Sequence, residues 1–180
     1  MQTRVKTAIH ASADHVWDIF AHDFENAYLW MSSVKHSYGK ENGPAFPGAR
    51  SQGRVCELSN DPNGMHASES FLAYDEENRT ATVRIEIRGG PAVAPIKVNI
   101  MDVMVAAEGK DKASVDMTIR SQLKPAAYLF YPIVKLGILV FIRQIQEELK
   151  HFAERGTPHP RKVKALNAKT KSANATRKSA

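Results

Sequence analysis

Only one long helix is predicted in this chain, and it follows a series of strands. Residues from about Pro132 to Arg155 have a helical apolar periodicity, and Gly156 is suited to end the helix. Before it, apolar and polar residues alternate, most clearly over 79–88, which predicts about six antiparallel strands. The apolar face of such a sheet must be covered, and only this helix is long enough to cover it.

The N-terminal residues add one strand and two short helices. Residues 4–10 alternate as a half-buried strand does, and Ser12 is a good N-cap for a helix that carries Trp17. Trp17 is expected in the core, and residues 22–31 predict the second short helix. The predicted fold class is α+β: a curved antiparallel sheet of about seven strands, wrapped on one long C-terminal helix.

The charge of the chain is concentrated at its C-terminus. The chain has 25 Lys and Arg against 19 Asp and Glu, a net charge of +6. Seven basic residues and no acidic one lie in 157–180, so residues 1–156 carry a net charge of −1. We therefore predict a domain over 1–156 and a basic, disordered tail over 157–180. The tail is interpreted as a solubilising extension, because it has no aromatic residue to stack on nucleic-acid bases; non-specific contact with nucleic acid or anionic lipid is the alternative.

Neither a metal nor a cofactor is expected. The seven histidines lack the spacing of a zinc motif, and the chain has no glycine-rich phosphate loop. A single cysteine, Cys56, excludes an intramolecular disulfide, and no secretory signal is visible, so a cytoplasmic location is expected. The apolar stretch Tyr128–Ile142 is shorter than a bilayer span and is interpreted as a buried helix, with peripheral membrane contact as the alternative.

Three stretches resemble the SRPBCC superfamily, which includes START-related lipid-transfer domains and polyketide cyclase/dehydrase-like proteins. They are the strand-and-helix opening over 9–20, the strand–turn–strand pattern over 69–85, and the closing helix over 131–156. The resemblance covers nearly all of 1–156. It implies a helix-grip fold with a cavity between sheet and long helix, holding an apolar molecule such as a lipid, quinone or polyketide.

Eight apolar residues are predicted to line this cavity, four from the strands and four from the helix. They are Phe71, Val83, Ile85, Met117, Ile138, Phe141, Ile142 and Ile145.

Three charged residues are candidates for chemistry in the cavity. Glu69 points inward if Phe71 does, but a shift of one residue would turn it to solvent, and both readings stay open. Arg54 can pair with such a carboxylate, although an exposed strand arginine is the simpler interpretation. Asp102 shares its strand face with apolar neighbours, so it points inward unless a bulge intervenes.

The favoured function is non-catalytic binding of a hydrophobic small molecule, for transport or sequestration. One alternative is a cyclase or dehydratase that uses the charged candidates. The other is a peripheral membrane protein that exchanges lipid, with the apolar start of the long helix and the basic tail at the bilayer.

Overall fold

One antiparallel sheet of seven strands forms most of the protein. A computed structural model describes residues 1–61, 64–90 and 95–168. Across the sheet the strands follow the order β1-β7-β6-β5-β4-β3-β2. Their bounds are β1 Gln2–Ile9, β2 His36–Gly39, β3 Gly53–Glu57, β4 His66–Asp75, β5 Thr80–Arg88, β6 Ile96–Ala107 and β7 Ala113–Leu123.

The short helices follow β1, as predicted. Helix α1 (Ala13–Trp17) begins at Ser12, whose Oγ accepts a hydrogen bond from the His15 amide at 3.2 Å. A π-helical turn over Asp18–His22 and a 3₁₀ turn over Phe24–Leu29 continue it. The ring of Trp17 is buried in the core against Tyr74, and its Nε1 donates to Glu76 at 3.1 Å.

The long helix α2 (Tyr131–Arg155) follows a 3₁₀ turn over Pro125–Phe130 and ends at Gly156, which has φ = 65°. Its second half is fixed on β1. There Gln146 is buried, and its Nε2 donates to the carbonyl of Val5 at 2.9 Å. Ile145, Leu149 and Ala153 enter the core from this half. These elements confirm the predicted α+β fold, with a curved sheet gripping one C-terminal helix.

The first half of α2 and the turn before it are far less buried than their composition predicts. The helical run Pro125–Arg155 contains an 18-residue stretch with a mean hydropathy of 1.8, which is long and apolar enough to cross a membrane. Core helices of soluble proteins pass the same test when they are mostly buried. Here only 17% of the residues in that stretch are buried, so the prediction of a buried helix is wrong for the first half of α2.

The predicted disorder of 157–180 needs a correction for its first part. Residues 160–168 are helical, and we call them the C-terminal segment. Arg161 Nε donates to Glu148 Oε1 of α2 at 3.2 Å, and Lys162, 2% exposed, donates from Nζ to the carbonyl of Val34 at 2.7 Å. These long-range bonds hold a sequence that has few apolar residues of its own. Residues 169–180 lie outside the described residues.

Candidate functional site

A cavity of about 510 Å³ lies between the sheet and the first half of α2. This volume is in the usual range for sites that hold small molecules. Helix α2 contributes Ile133, Val134, Gly137, Ile138, Phe141 and Ile145 to its wall. The strands contribute Arg54, Cys56, Ala67, Glu69, Ile85, Ile87, Ile96, Asn99, Met101, Met117 and Ile119. The turns and loops add Phe20, Trp30, Met31, Ser33, Val34, Leu58 and Pro95.

Five of the eight predicted apolar residues are in this wall: Ile85, Met117, Ile138, Phe141 and Ile145. Whether they contact a ligand stays a prediction.

The other three predicted residues are in the core outside the cavity wall. Phe71, Val83 and Ile142 are almost completely buried. The ring of Phe24 packs on Phe71 with 4.5 Å between centroids, and Val83 lies opposite Phe71 on the neighbouring strand. Space at this end of the sheet is therefore filled by the aromatic turns that follow α1, which strand periodicity alone does not reveal.

Glu69 points into the protein, and a bulge follows it in β4. Glu69 and Phe71 both face inward, and the register shifts between Phe71 and Ala73. Leu72 and Ala73 are exposed there, and Tyr74 is buried again. Glu69 and Phe71 therefore point inward before the bulge, and the extra residue of the bulge lets Tyr74 point inward after it.

Arg54 and Glu69 form an ion pair in the cavity wall. They are opposite each other on β3 and β4, are 3% and 5% exposed, and approach to 2.8 Å between Arg54 Nη2 and Glu69 Oε2. Arg54 Nη1 also donates to the carbonyl of Phe24 at 2.8 Å, and its guanidinium lies 4.0 Å from the centre of the Phe24 ring. Burial alone would lower the pKa of Arg54, but the negative charge of Glu69 outweighs it and the pKa is raised. Arg54 is therefore cationic, and the interpretation of an exposed arginine is wrong.

Cys56 follows Arg54 on the same face of β3 and is a free, buried thiol. Burial is the main reason that its pKa is raised to about 12. At neutral pH it is protonated, so it serves as a small packing group and not as a nucleophile.

Asp102 is not in the cavity. The register of β6 against β7 shifts between Ile96 and Val98, which is the bulge that the sequence analysis allows for. Ile96 lines the cavity before it, and Asn99 and Met101 line it afterwards. The carboxylate of Asp102 instead accepts from Thr82 Oγ1 at 2.9 Å and pairs with Arg120. Asp102 is therefore removed from the candidate catalytic residues.

Sequence reasoning missed the loop that closes one side of the cavity. Trp30, Met31, Ser33 and Val34 line it, and their only sequence signal is the apolar end of the predicted second short helix. Within 1–61, 64–90 and 95–168, no group of three or more His, Cys, Asp or Glu side chains is arranged to hold a metal ion.

Solved structures provide the comparison, since no family model matches the chain and no curated protein is significantly similar to it. A START superfamily protein from Mycobacterium smegmatis superposes with a TM-score of 0.67 at 13% identity, covering 87% of this chain and 99% of that one. The chain has the START-like helix-grip fold.

Two further structures share this helix-grip fold. The di-domain ARO/CYC protein BexL, from the BE-7585A biosynthetic pathway, has a TM-score of 0.64 at 12% identity over 84% of this chain and 45% of that one. Norcoclaurine synthase from Thalictrum flavum, in complex with dopamine and hydroxybenzaldehyde, has a TM-score of 0.54 at 18% identity over 82% of this chain and 84% of that one. At these identities the likeness shows the helix-grip fold alone.

Proposed function

We propose that this protein binds an apolar small molecule, such as a lipid, a quinone or a polyketide, in the cavity beneath α2. The observation that carries the proposal is the cavity itself, whose wall is almost entirely apolar apart from Arg54, Glu69 and a few uncharged polar groups. A wall of this kind disfavours charged molecules, because apolar side chains do not replace the hydration of a charge. The helix-grip fold that the chain shares with a START superfamily protein is consistent with a ligand-binding cavity at this place.

The ion pair limits the charge of the ligand. Arg54 and Glu69 neutralise each other, so the wall offers no unbalanced charge to an ionised ligand. Asn99 also lines the cavity. Its Oδ1 accepts a hydrogen bond from Ser121 Oγ at 2.6 Å, and the remaining hydrogen-bonding positions of its side-chain amide can contact a ligand. We therefore expect a ligand that is neutral overall and carries a carbonyl or hydroxyl group on an apolar body.

Native mass spectrometry of the protein purified from its own host, followed by organic extraction, tests the proposal. We expect a discrete small molecule that is released on denaturation. Met117→Trp, which fills the cavity from β7, should reduce its occupancy. Met104→Trp is the matched control, because Met104 is exposed and outside the cavity wall on the neighbouring strand. Equal occupancy in both variants, with both folded by circular dichroism, would contradict binding in this cavity.

A second candidate function is a cyclase or dehydratase, which one observation favours. The cavity wall contains a carboxylate, Glu69, next to a cation that stabilises negative charge, Arg54. A carboxylate held in this way can accept a proton, and the guanidinium can stabilise an enolate oxygen. Arg54 and Glu69 remain candidates for this chemistry, and Asp102 does not.

Incubating the extracted molecule with fresh protein separates the two functions. A binding protein returns the molecule with its mass unchanged, whereas a dehydratase returns a product that has lost one water. Glu69→Gln should abolish that loss and leave occupancy measurable. An unchanged mass with the unsubstituted protein rules against a dehydratase, and an unchanged chromatographic retention time also rules against a cyclase, since ring closure without loss of water keeps the mass.

The proposal includes a cytoplasmic location, which the free Cys56 thiol supports. Fractionation of host cells with an antibody against the protein tests it; recovery with secreted proteins would contradict it.

A further inference from the structure

The turn before α2 and the first half of that helix expose a continuous set of large apolar side chains. We call this set the apolar ridge; it comprises 128–130, Ile133, Leu136, Val140 and Phe141. Leu129 is 84% exposed and Ile133 is 70% exposed. Ile133, Leu136 and Val140 are spaced so that they share one side of the helix, facing away from the core residues Ile138 and Ile142. Monomeric soluble proteins rarely leave a contiguous apolar patch of this kind in water.

Residues 169–180 have no large apolar side chain with which to cover the ridge. They read KTKSANATRKSA, without an apolar side chain larger than alanine. Among the described residues the ridge is exposed, so a partner with a complementary surface can contact it.

The charges beside the ridge indicate which occupant fits. From Met117 to Gln146 the sequence has no Asp or Glu. Lys135 and Arg143 are exposed on α2, and Arg143 lies two turns after Leu136 on the same side. An apolar helix face flanked by cations is the pattern of helices that lie in the surface of an anionic bilayer. A two-fold contact with a second copy would instead bring together two surfaces that both carry these cations.

The ridge is continuous with the cavity. Ile133 and Phe141 line the cavity and are also exposed on the ridge, and Gly137 lies between them on the same row of the helix. A side chain at Gly137 would meet no atom within 4 Å at its Cβ, so the space beside this row is open. An apolar molecule that passes there moves between the cavity and the surface that the ridge contacts.

We propose that the apolar ridge docks the protein on an anionic lipid bilayer, with the ligand entering and leaving the cavity past Ile133, Gly137 and Phe141. Docking stands on the ridge and its charges alone; the exchange of ligand rests on the proposed function.

Co-sedimentation with phosphatidylcholine vesicles, with and without phosphatidylserine, tests docking directly. The full chain should bind the anionic vesicles, more weakly at high salt, and bind the neutral ones poorly. Leu136→Asp should lower partitioning at least about tenfold, because it removes a large apolar side chain from the contact and adds a repelled charge. Leu72→Asp is the matched control: Leu72 is also exposed but lies at the β4 bulge, and its substitution should leave partitioning unchanged.

Three results would overturn docking by the ridge. The first is no binding of the full chain to anionic vesicles at low salt. The second is a dimer in sedimentation velocity that Leu136→Asp converts to a monomer, since the ridge would then join two copies. The third is binding that persists in Leu136→Asp and disappears when Lys169, Lys171, Arg177 and Lys178 are replaced by serine, which would assign it to residues 169–180.

Occupancy in the absence of vesicles separates this inference from the proposed function. Leu136→Asp should retain the extracted ligand in native mass spectrometry, because Leu136 is not in the cavity wall. It should also slow the transfer of that ligand to anionic vesicles. Loss of vesicle binding in Leu136→Asp with full occupancy confirms both proposals. Vesicle binding by an unsubstituted protein that contains no ligand contradicts only the cavity proposal. Transfer by Leu136→Asp at the original rate contradicts the exchange route.

Discussion

Arg54 and Glu69 face each other across β3 and β4, and each buries its charge against the other in an otherwise apolar wall. Replacing one partner of such a pair leaves an uncompensated buried charge, whereas replacing both partners with apolar residues leaves no buried charge. We expect Glu69→Leu to lower the free energy of unfolding by about 3–5 kcal/mol. Urea unfolding monitored by circular dichroism measures it.

The double variant Arg54→Leu/Glu69→Leu should recover most of that loss. Its remaining defect should then be in ligand occupancy, since the polar part of the wall is gone. A double variant as unstable as the single one would show that the two charges stabilise the fold through other partners, of which the Phe24 carbonyl is the first to test.

Gly137→Ala should stabilise the protein by about 1 kcal/mol, because alanine favours the helix and its Cβ meets no atom within 4 Å. Gly137→Leu should retain that gain but slow ligand loading, since its side chain projects beside the opening. Chemical denaturation measures the first effect and stopped-flow uptake of an apolar fluorophore the second. A destabilised Gly137→Ala would indicate that the space beside α2 is closed in solution.

Glu76 should make stability depend on pH in the acidic range. Partial burial opposes its ionisation, but hydrogen bonds from Tyr74, Trp17 and His22 outweigh burial and lower its pKa. A lowered pKa in the folded state contributes stability above the ordinary value of about 4.3, and this contribution is lost as the pH falls through the folded pKa. The gap in unfolding free energy between the protein and Glu76→Gln should therefore be widest near neutral pH and narrow in acid.

Acid titrations of thermal unfolding measure this gap, and Glu77→Gln, at the exposed neighbouring residue, is the control. A gap that stays constant from neutral to acidic pH would mean that Glu76 acts through its shape and not through its charge.

Lys162→Met should loosen one wall of the cavity. Nζ of Lys162 donates to the carbonyl of Val34, and Ser33 and Val34 line the cavity. Losing this bond costs about 1–3 kcal/mol and should speed amide hydrogen exchange over 32–35. Lys164→Met, at an exposed site of the same C-terminal segment, is the control and should leave that exchange unchanged. Equal exchange in both variants would show that the segment does not hold the loop.

Local periodicity predicts the strands and the second half of α2, because each has a regular apolar pattern that the fold buries on one face. It was insufficient where one residue interrupts the pattern. The irregularities at Leu72 and between Ile96 and Val98 each reverse the faces of a strand, and no local residue type marks them. Strand periodicity alone therefore predicts an inward Asp102, which the irregularity in β6 turns outward.

Buried charged residues are the second feature that local sequence patterns do not predict. Arg54 reads as a surface residue until its partner, 15 positions along the chain, is known to lie opposite it. The C-terminal segment has the composition of a disordered tail, and its order depends on Glu148 and on the carbonyl of Val34, both distant in sequence. Such long-range partners become apparent only when the fold brings them together.

Ile133 and Phe141 belong to both the cavity wall and the apolar ridge, so the two proposals predict that occupancy and docking are thermodynamically linked. A ligand that contacts these side chains would alter the surface that the ridge presents, and we expect filled and empty protein to partition differently between water and bilayer. By reciprocity, the bilayer changes the affinity for the ligand by the same factor. The sign of this coupling would decide whether the bilayer favours the loaded or the empty protein, and the net direction of transfer would follow the ligand's own concentration gradient.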